Sequence, residues 1–172
     1  RKRGAVGLPQ TMKLPPAPDY VLEIFLQPGE FYWSDAFTRI RTVLGSCVAL
    51  CVWHPKKNIG GMCHYILAYK REDAGEELDP RYGSDAVKMI LREIRQAGTT
   101  PGEYHVKMFG GSNMFPDIEG RRLDIGAKNI LAGEELLKMH GFQIRKARIG
   151  GTRPHNIIFD LWSGNVWVKR EE

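Results

Sequence analysis

The run Leu44-Gly45-Ser46-Cys47-Val48-Ala49-Leu50-Cys51-Val52-Trp53, followed by Gly60-Gly61-Met62-Cys63-His64, decides how the rest of the chain is read. Each half is a glycine-marked turn leading into a short apolar run. Two such runs in succession predict neighbouring strands. Cys47 and His64 then sit at one end of the same sheet. A thiol within reach of an imidazole is the minimal equipment for nucleophilic catalysis, because the imidazole can take the thiol proton. Gly45 before Cys47, and Gly60-Gly61 before His64, allow the backbone to bend and a substrate to come close. The plainer alternative is packing. A free cysteine often fills a core as a small hydrophobe, and His64 could be a hydrogen-bonded core histidine. Cys51 and Cys63 are read as packing residues, with Cys63 facing away from its neighbour His64.

With 172 residues the chain is long enough for one domain around a single core. Its 42% hydrophobic and 26% charged content is that of an ordinary soluble globular protein. No apolar run approaches the length of a membrane span, so no membrane insertion is expected. Arg1-Lys2-Arg3 has no apolar core behind it and is not read as a signal peptide. Three cysteines without a disulfide framework suit a reducing cytoplasm, the expected location. The net charge of +5 gathers at the ends and at Arg121-Arg122 and Arg145-Lys146-Arg148. No helix-turn-helix, zinc-finger or RNP pattern accompanies it, so nucleic acid is not the expected partner. A basic surface equally steers in an acidic protein.

Residues 1–19 are basic and proline-bearing and read as a disordered or extended tail; residues 20–172 read as a single domain. Tyr20 to Gln27 and Arg39 to Leu44 read as strands, and Phe31-Tyr32-Trp33 as a connection or short strand. Ser84 or Asp85 caps an amphipathic helix carrying Val87, Ile90, Leu91 and Ile94 and ending at Gly98. Tyr104 to Phe109 is a strand running into Gly110-Gly111-Ser112-Asn113-Met114-Phe115. That loop lacks the Lys-Ser/Thr of a phosphate-binding loop, so nucleotide binding is not expected. A second helix opens at Ile125 with Ile130, Leu131, Leu136 and Leu137 as its apolar stripe and ends at His140-Gly141. A strand from Phe142 to Ile149 and a hairpin around Trp162-Ser163-Gly164 close the chain. The order predicts an α+β fold with two main helices on mostly antiparallel sheets.

The residues Thr42-Val43-Leu44-Gly45-Ser46-Cys47-Val48-Ala49 and Ile59-Gly60-Gly61-Met62-Cys63-His64, with His64 17 residues after Cys47, closely resemble the chemoreceptor glutamine deamidases, the CheD family of bacterial chemotaxis. Gly110-Gly111-Ser112-Asn113-Met114-Phe115 and the closing Gly150-Gly151-Thr152-Arg153 with its hairpin resemble that family too; Pro154-His155-Asn156 departs from it. The resemblance covers most of Val21 to Arg170. It implies a layered α/β/β sandwich and conversion of specific glutamines of methyl-accepting chemoreceptors to glutamate. It implies Cys47 as nucleophile and His64 as acid and base, without a cofactor or metal. Backbone groups at Gly45 and Ser46, and the Asn113 side chain, are the implied substrate contacts; Asn113 could instead only hold its turn. Family members carry a threonine before the cysteine that orients the histidine. Thr42, five residues before Cys47, is the candidate, although some members place it six before, where this chain has Arg41. In a regular strand one residue reverses the face, so either a bulge restores the direction or Thr42 is a strand threonine without that role. A methylesterase side activity and a CheC-type phosphatase partner are further implications. Two other classes compete: a non-catalytic chemotaxis adaptor docking a receptor or that phosphatase, and a metal module from Cys47, Cys51, Cys63 and His64, whose spacing is poor for zinc.

Overall fold

Two five-stranded sheets pack face to face, and two helices cover the outer side of one of them. The computed structural model describes residues 3–6, 15–116 and 124–169. The elements are β1 (Arg3–Val6), β2 (Leu22–Phe25), β3 (Phe31–Ser34), β4 (Thr38–Leu44), β5 (Val48–Trp53), β6 (Gly60–Tyr65), α1 (Gly83–Gln96), β7 (His105–Gly110), α2 (Ile125–Met139), β8 (Ile144–Ile149), β9 (His155–Asp160) and β10 (Asn165–Lys169). The first sheet has the order β1-β10-β9-β4-β2 and the second β3-β6-β5-β7-β8. Pairing is antiparallel except for β2 with β4 and β7 with β8. This is the α+β, α/β/β layering expected above, with mixed sheets. No helix among the described residues is long and apolar enough to cross a membrane.

The continuous apolar run of β5 has a physical cause: the strand is central and buried on both faces. Val48, Leu50 and Val52 face the helices and pack with Ala86, Val87, Ile90 and Leu137. Ala49 and Cys51 face the other sheet and pack with Ile40, Leu44, Ile157 and Phe159. β6 follows the same parity, with Cys63 and Tyr65 toward the helices and Met62 in the layer between the sheets. His64 therefore enters the space between the sheets, the same layer that Cys47 borders.

Several local expectations change. Gly60 and Gly61 are strand residues of β6, not a turn. A Cβ on Gly60 would run into the Val52 carbonyl oxygen, and one on Gly61 into that of Tyr32. Close backbone approach, not bending, selects glycine there. α1 begins after Tyr82 with no side-chain cap; Asp85 instead accepts from the Asp79 N–H and pairs with Lys70 at 3.1 Å. In α2, Leu131 is 56% exposed, and the buried face is Gly126, Asn129, Ala132, Gly133, Leu136 and Leu137. Within the stretch read as a tail, Arg3–Val6 pairs antiparallel with β10; residues 1–2 and 7–14 lie outside the described residues.

Candidate active site

The chain leaves β4 at Leu44, turns through Gly45, Ser46 and Cys47, and enters β5. Three successive carbonyls pin that turn. The Ser112 N–H donates to Gly45 O at 3.0 Å, and the Gly111 N–H to Cys47 O at 2.8 Å. The Asn129 side-chain amide donates to Ser46 O at 3.0 Å. Gly110 and Gly111 hold φ of +102° and +72°, the left-handed region open to glycine. A Cβ on Gly110 would also collide with the Cys47 carbonyl oxygen. Gly110→Ala therefore meets both a steric and a backbone penalty. It is expected to cost about 2–4 kcal/mol of stability, read as a lower urea midpoint at unchanged slope.

His64 lies directly opposite Ala49 in the antiparallel ladder of β5 and β6. Cys47 is two residues from Ala49 on the same face. The pair are thus diagonal cross-strand neighbours, a placement within reach of a side chain as long as histidine. The His64 backbone is held on its other side: its N–H donates to Glu30 O at 3.1 Å, and its carbonyl accepts from the Gly29 N–H at 2.8 Å.

Thr42 comes from the opposite sheet. It shares the inward face of β4 with Ile40 and Leu44, and its Oγ1 lies 2.7 Å from His64 Nδ1. The same hydroxyl donates its single hydrogen to Leu26 O at 2.9 Å. It must therefore accept from His64, so Nδ1 carries the proton and Nε2 presents its lone pair. No bulge is needed. The turn at Gly45–Cys47 separates Thr42 from Cys47, so strand parity does not run through both, and the contact crosses the sandwich rather than following one strand. Thr42→Val keeps the shape and removes the acceptor. It is expected to lower kcat for the reaction proposed below by about 10- to 100-fold at unchanged KM, with Thr42→Ser restoring most of it.

Burial sets the charges. His64 is pushed down to about 4 by desolvation. The Cys47 thiol is pushed above its ordinary value by burial, opposed by a hydrogen bond from its own backbone N–H. At neutral pH the resting pair is thus a thiol and a neutral imidazole. Cys51 and Cys63 are fully buried, and desolvation drives Cys63 up to about 12 and Cys51 further still. Those two thiols are inert packing groups. Cys63 also lies in the helix-side core, away from Cys47 and Cys51. No group of three or more His, Cys, Asp or Glu side chains arranged to hold a metal occurs among the described residues.

The scaffold around this pair has known relatives. A profile of the family described as CheD chemotactic sensory transduction matches residues 66–170. A protein named "Probable chemoreceptor glutamine deamidase CheD 3", from Dechloromonas aromatica, is 44% identical over 152 residues, covering 88% of this chain and 89% of that one. This chain belongs to the CheD family. "Probable chemoreceptor glutamine deamidase CheD 1" from Chromobacterium violaceum is 40% identical over 160 residues, with 92% of this chain and 82% of that protein covered. "Probable chemoreceptor glutamine deamidase CheD" from Pseudomonas syringae pv. tomato is 42% identical over 152 residues, with 87% and 90% covered. The CheD profile begins at Ile66, two residues beyond His64, so its match rests on the helices and later strands rather than on the cysteine and histidine.

At the Ser46 side of the turn the CheD scaffold forms a cleft of about 120 Å³, lined by Ser46, Asn113, Met114, Phe115, Ile125 and Gly126 among others; Cys47 and His64 are not among its lining residues. Asn113 Oδ1 accepts from the Phe115 N–H at 3.2 Å, an Asx turn, and the Asn113 N–H donates to Gly151 O at 2.8 Å. The side chain thus shapes the rim as well as facing the cleft. Gly45 has ordinary backbone geometry, and Met114 Cγ would lie 3.4 Å from a Cβ there. The sequence reading passed over Asn129. Its signal was available: an asparagine, a poor helix former, on the same stripe as Gly126, Ala132, Gly133 and Leu136.

Proposed function

We propose that this chain is a protein-glutamine deamidase acting on chemoreceptors, with Cys47 as nucleophile, His64 as acid and base, and Thr42 orienting His64. The observation that carries the reading is the shared Thr42 hydroxyl. It hands its hydrogen to Leu26 and takes one from His64, leaving Nε2 unprotonated on the side of the imidazole away from Thr42. The names of the relatives supply the substrate class.

Because both groups rest neutral, thiol deprotonation and attack are coupled. His64 Nε2 takes the Cys47 proton as Sγ bonds to the side-chain amide carbon. The carbonyl π electrons move to oxygen, and that oxyanion is met by the backbone N–H groups of Ser46 and Cys47 at the turn. His64 returns the proton to the amide nitrogen, the C–N bond breaks, and ammonia leaves a thioester. Water then adds with His64 as base, the C–S bond breaks, and glutamate and the regenerated thiol result. The chemistry draws on no redox partner or organic cofactor. A shallow cleft suits a glutamine presented on the surface of a folded protein, and the basic chain suits the acidic helical part of a receptor. The family likeness further implies a CheC-type phosphatase as a second protein partner, and the cytoplasm as the place of work.

Receptor cytoplasmic fragments incubated with the protein test this by mass. Each glutamine converted adds about one dalton, as NH₂ is exchanged for OH. Fragments whose mass and peptide map stay unchanged would count against the reading.

A further inference from the structure

We propose that Asn129 is a positioning residue: by gripping the Ser46 carbonyl it orients the Ser46–Cys47 peptide so that the Cys47 N–H is presented to the developing oxyanion. This rests on the deamidase reading above and adds to it a residue from the distant helix α2.

Asn129 is 1% exposed. Its Nδ2 lies 3.0 Å from Ser46 O and 2.8 Å from Ile66 O. Two carbonyl acceptors fix which end of the amide carries the hydrogens, and both hydrogens are used. A trans peptide is planar, with its N–H directed opposite to its C=O. Holding Ser46 O toward α2 therefore turns the Cys47 N–H away from α2. Ile66 is two residues after His64, so one side chain ties the cysteine turn to the histidine strand. The Asn129 backbone carbonyl in turn accepts from the Tyr65 hydroxyl at 2.5 Å, which fixes the helix against β6. Asparagine weakens a helix interior. An alanine here would favour the helix but take the donor from two partly buried carbonyl oxygens.

The test uses the full chain and two readouts. The first is the rate of Cys47 alkylation by iodoacetamide, followed by peptide mass, which needs no substrate; the second is kcat and KM for deamidation of a receptor fragment. Asn129→Ala is expected to slow Cys47 alkylation about tenfold at pH 9 and kcat about 100-fold, with KM within threefold. Tyr65→Phe loosens the same helix contact without touching Ser46, and is expected to change both rates less than threefold. Either rate in Asn129→Ala staying within threefold of wild type overturns the proposal, as does an equal loss in Tyr65→Phe. If Asn129→Ala does not fold, the crystal structure of wild type carboxamidomethylated on Cys47 decides. The proposal requires Ser46 O on Asn129 and the Cys47 N–H directed at the adduct's carbonyl oxygen; a Ser46 carbonyl turned away overturns it. Slowed alkylation beside a wild-type protein that deamidates nothing would uphold the positioning and count against the proposed function instead.

Discussion

Cys47→Ala is expected to lower deamidation of receptor fragments by at least about 10³-fold, with the fragments still bound. The size of the effect follows from the chemistry. Without Sγ no thioester forms, and only binding and the oxyanion donors of the turn are left to act on the amide. The exchange of a half-buried thiol for a methyl removes little packing, so the variant should fold and its thermal midpoint should stay close to wild type. Cys51→Ala and Cys63→Ala give the opposite pattern. Both side chains are in dense core with strongly raised thiol ionisation, so their loss should lower stability and leave the turnover within a few-fold. The contrast among three cysteines of one chain separates nucleophile from filler. A Cys47→Ala protein that deamidates like wild type would remove Cys47 from the mechanism, whereas a wild type that binds the fragments without deamidating them would favour the adaptor.

His64→Gln is expected to lower kcat by about 10²- to 10⁴-fold and to change two pH profiles. His64 works as a base only when neutral, and burial holds its ionisation down at about 4. Wild-type kcat/KM should therefore stay level as pH falls from 7 to about 5 and decline through about 4, well below the range of an exposed histidine. Stability carries the same signature. The folded-state value lies below the unfolded one, so between about 6.5 and 4 the unfolded chain binds the extra proton. Stability is full above the unfolded value and is lost as pH falls toward the folded one. The loss amounts to at most about 3 kcal/mol, and urea midpoints for His64→Gln should lack that part of the slope.

The parts of the fold and site that could be read from sequence are those set by short-range pattern. The apolar run Val48–Trp53 reads as a buried strand because a central strand has two buried faces. The stripe Val87, Ile90 and Ile94 reads as a helix because its period is that of a helix against a sheet. The placement of Cys47 and His64 on neighbouring strands was legible for the same reason: β5 and β6 are consecutive and pair in simple register. What crosses between layers was not legible from local pattern, and only the family resemblance pointed to Thr42. Thr42 and His64 belong to different sheets, and the rule of strand parity says nothing about which faces meet across a sandwich. Gly60 and Gly61 look the same in sequence whether they turn or let two backbones approach. Asn129 is 82 residues from Cys47 in the chain and one hydrogen bond from the turn that carries it, a distance only the packing of α2 closes.

The central claim, a thioester between Cys47 and a receptor glutamate, is tested most directly by acid-quenching the reaction within its first turnovers and weighing the intact protein. The account predicts a transient species heavier by the receptor peptide less ammonia, mapped to Cys47, decaying as the deamidated peptide appears. Deamidated peptide accumulating with no adduct on Cys47 at any quench time within the first turnover would contradict it.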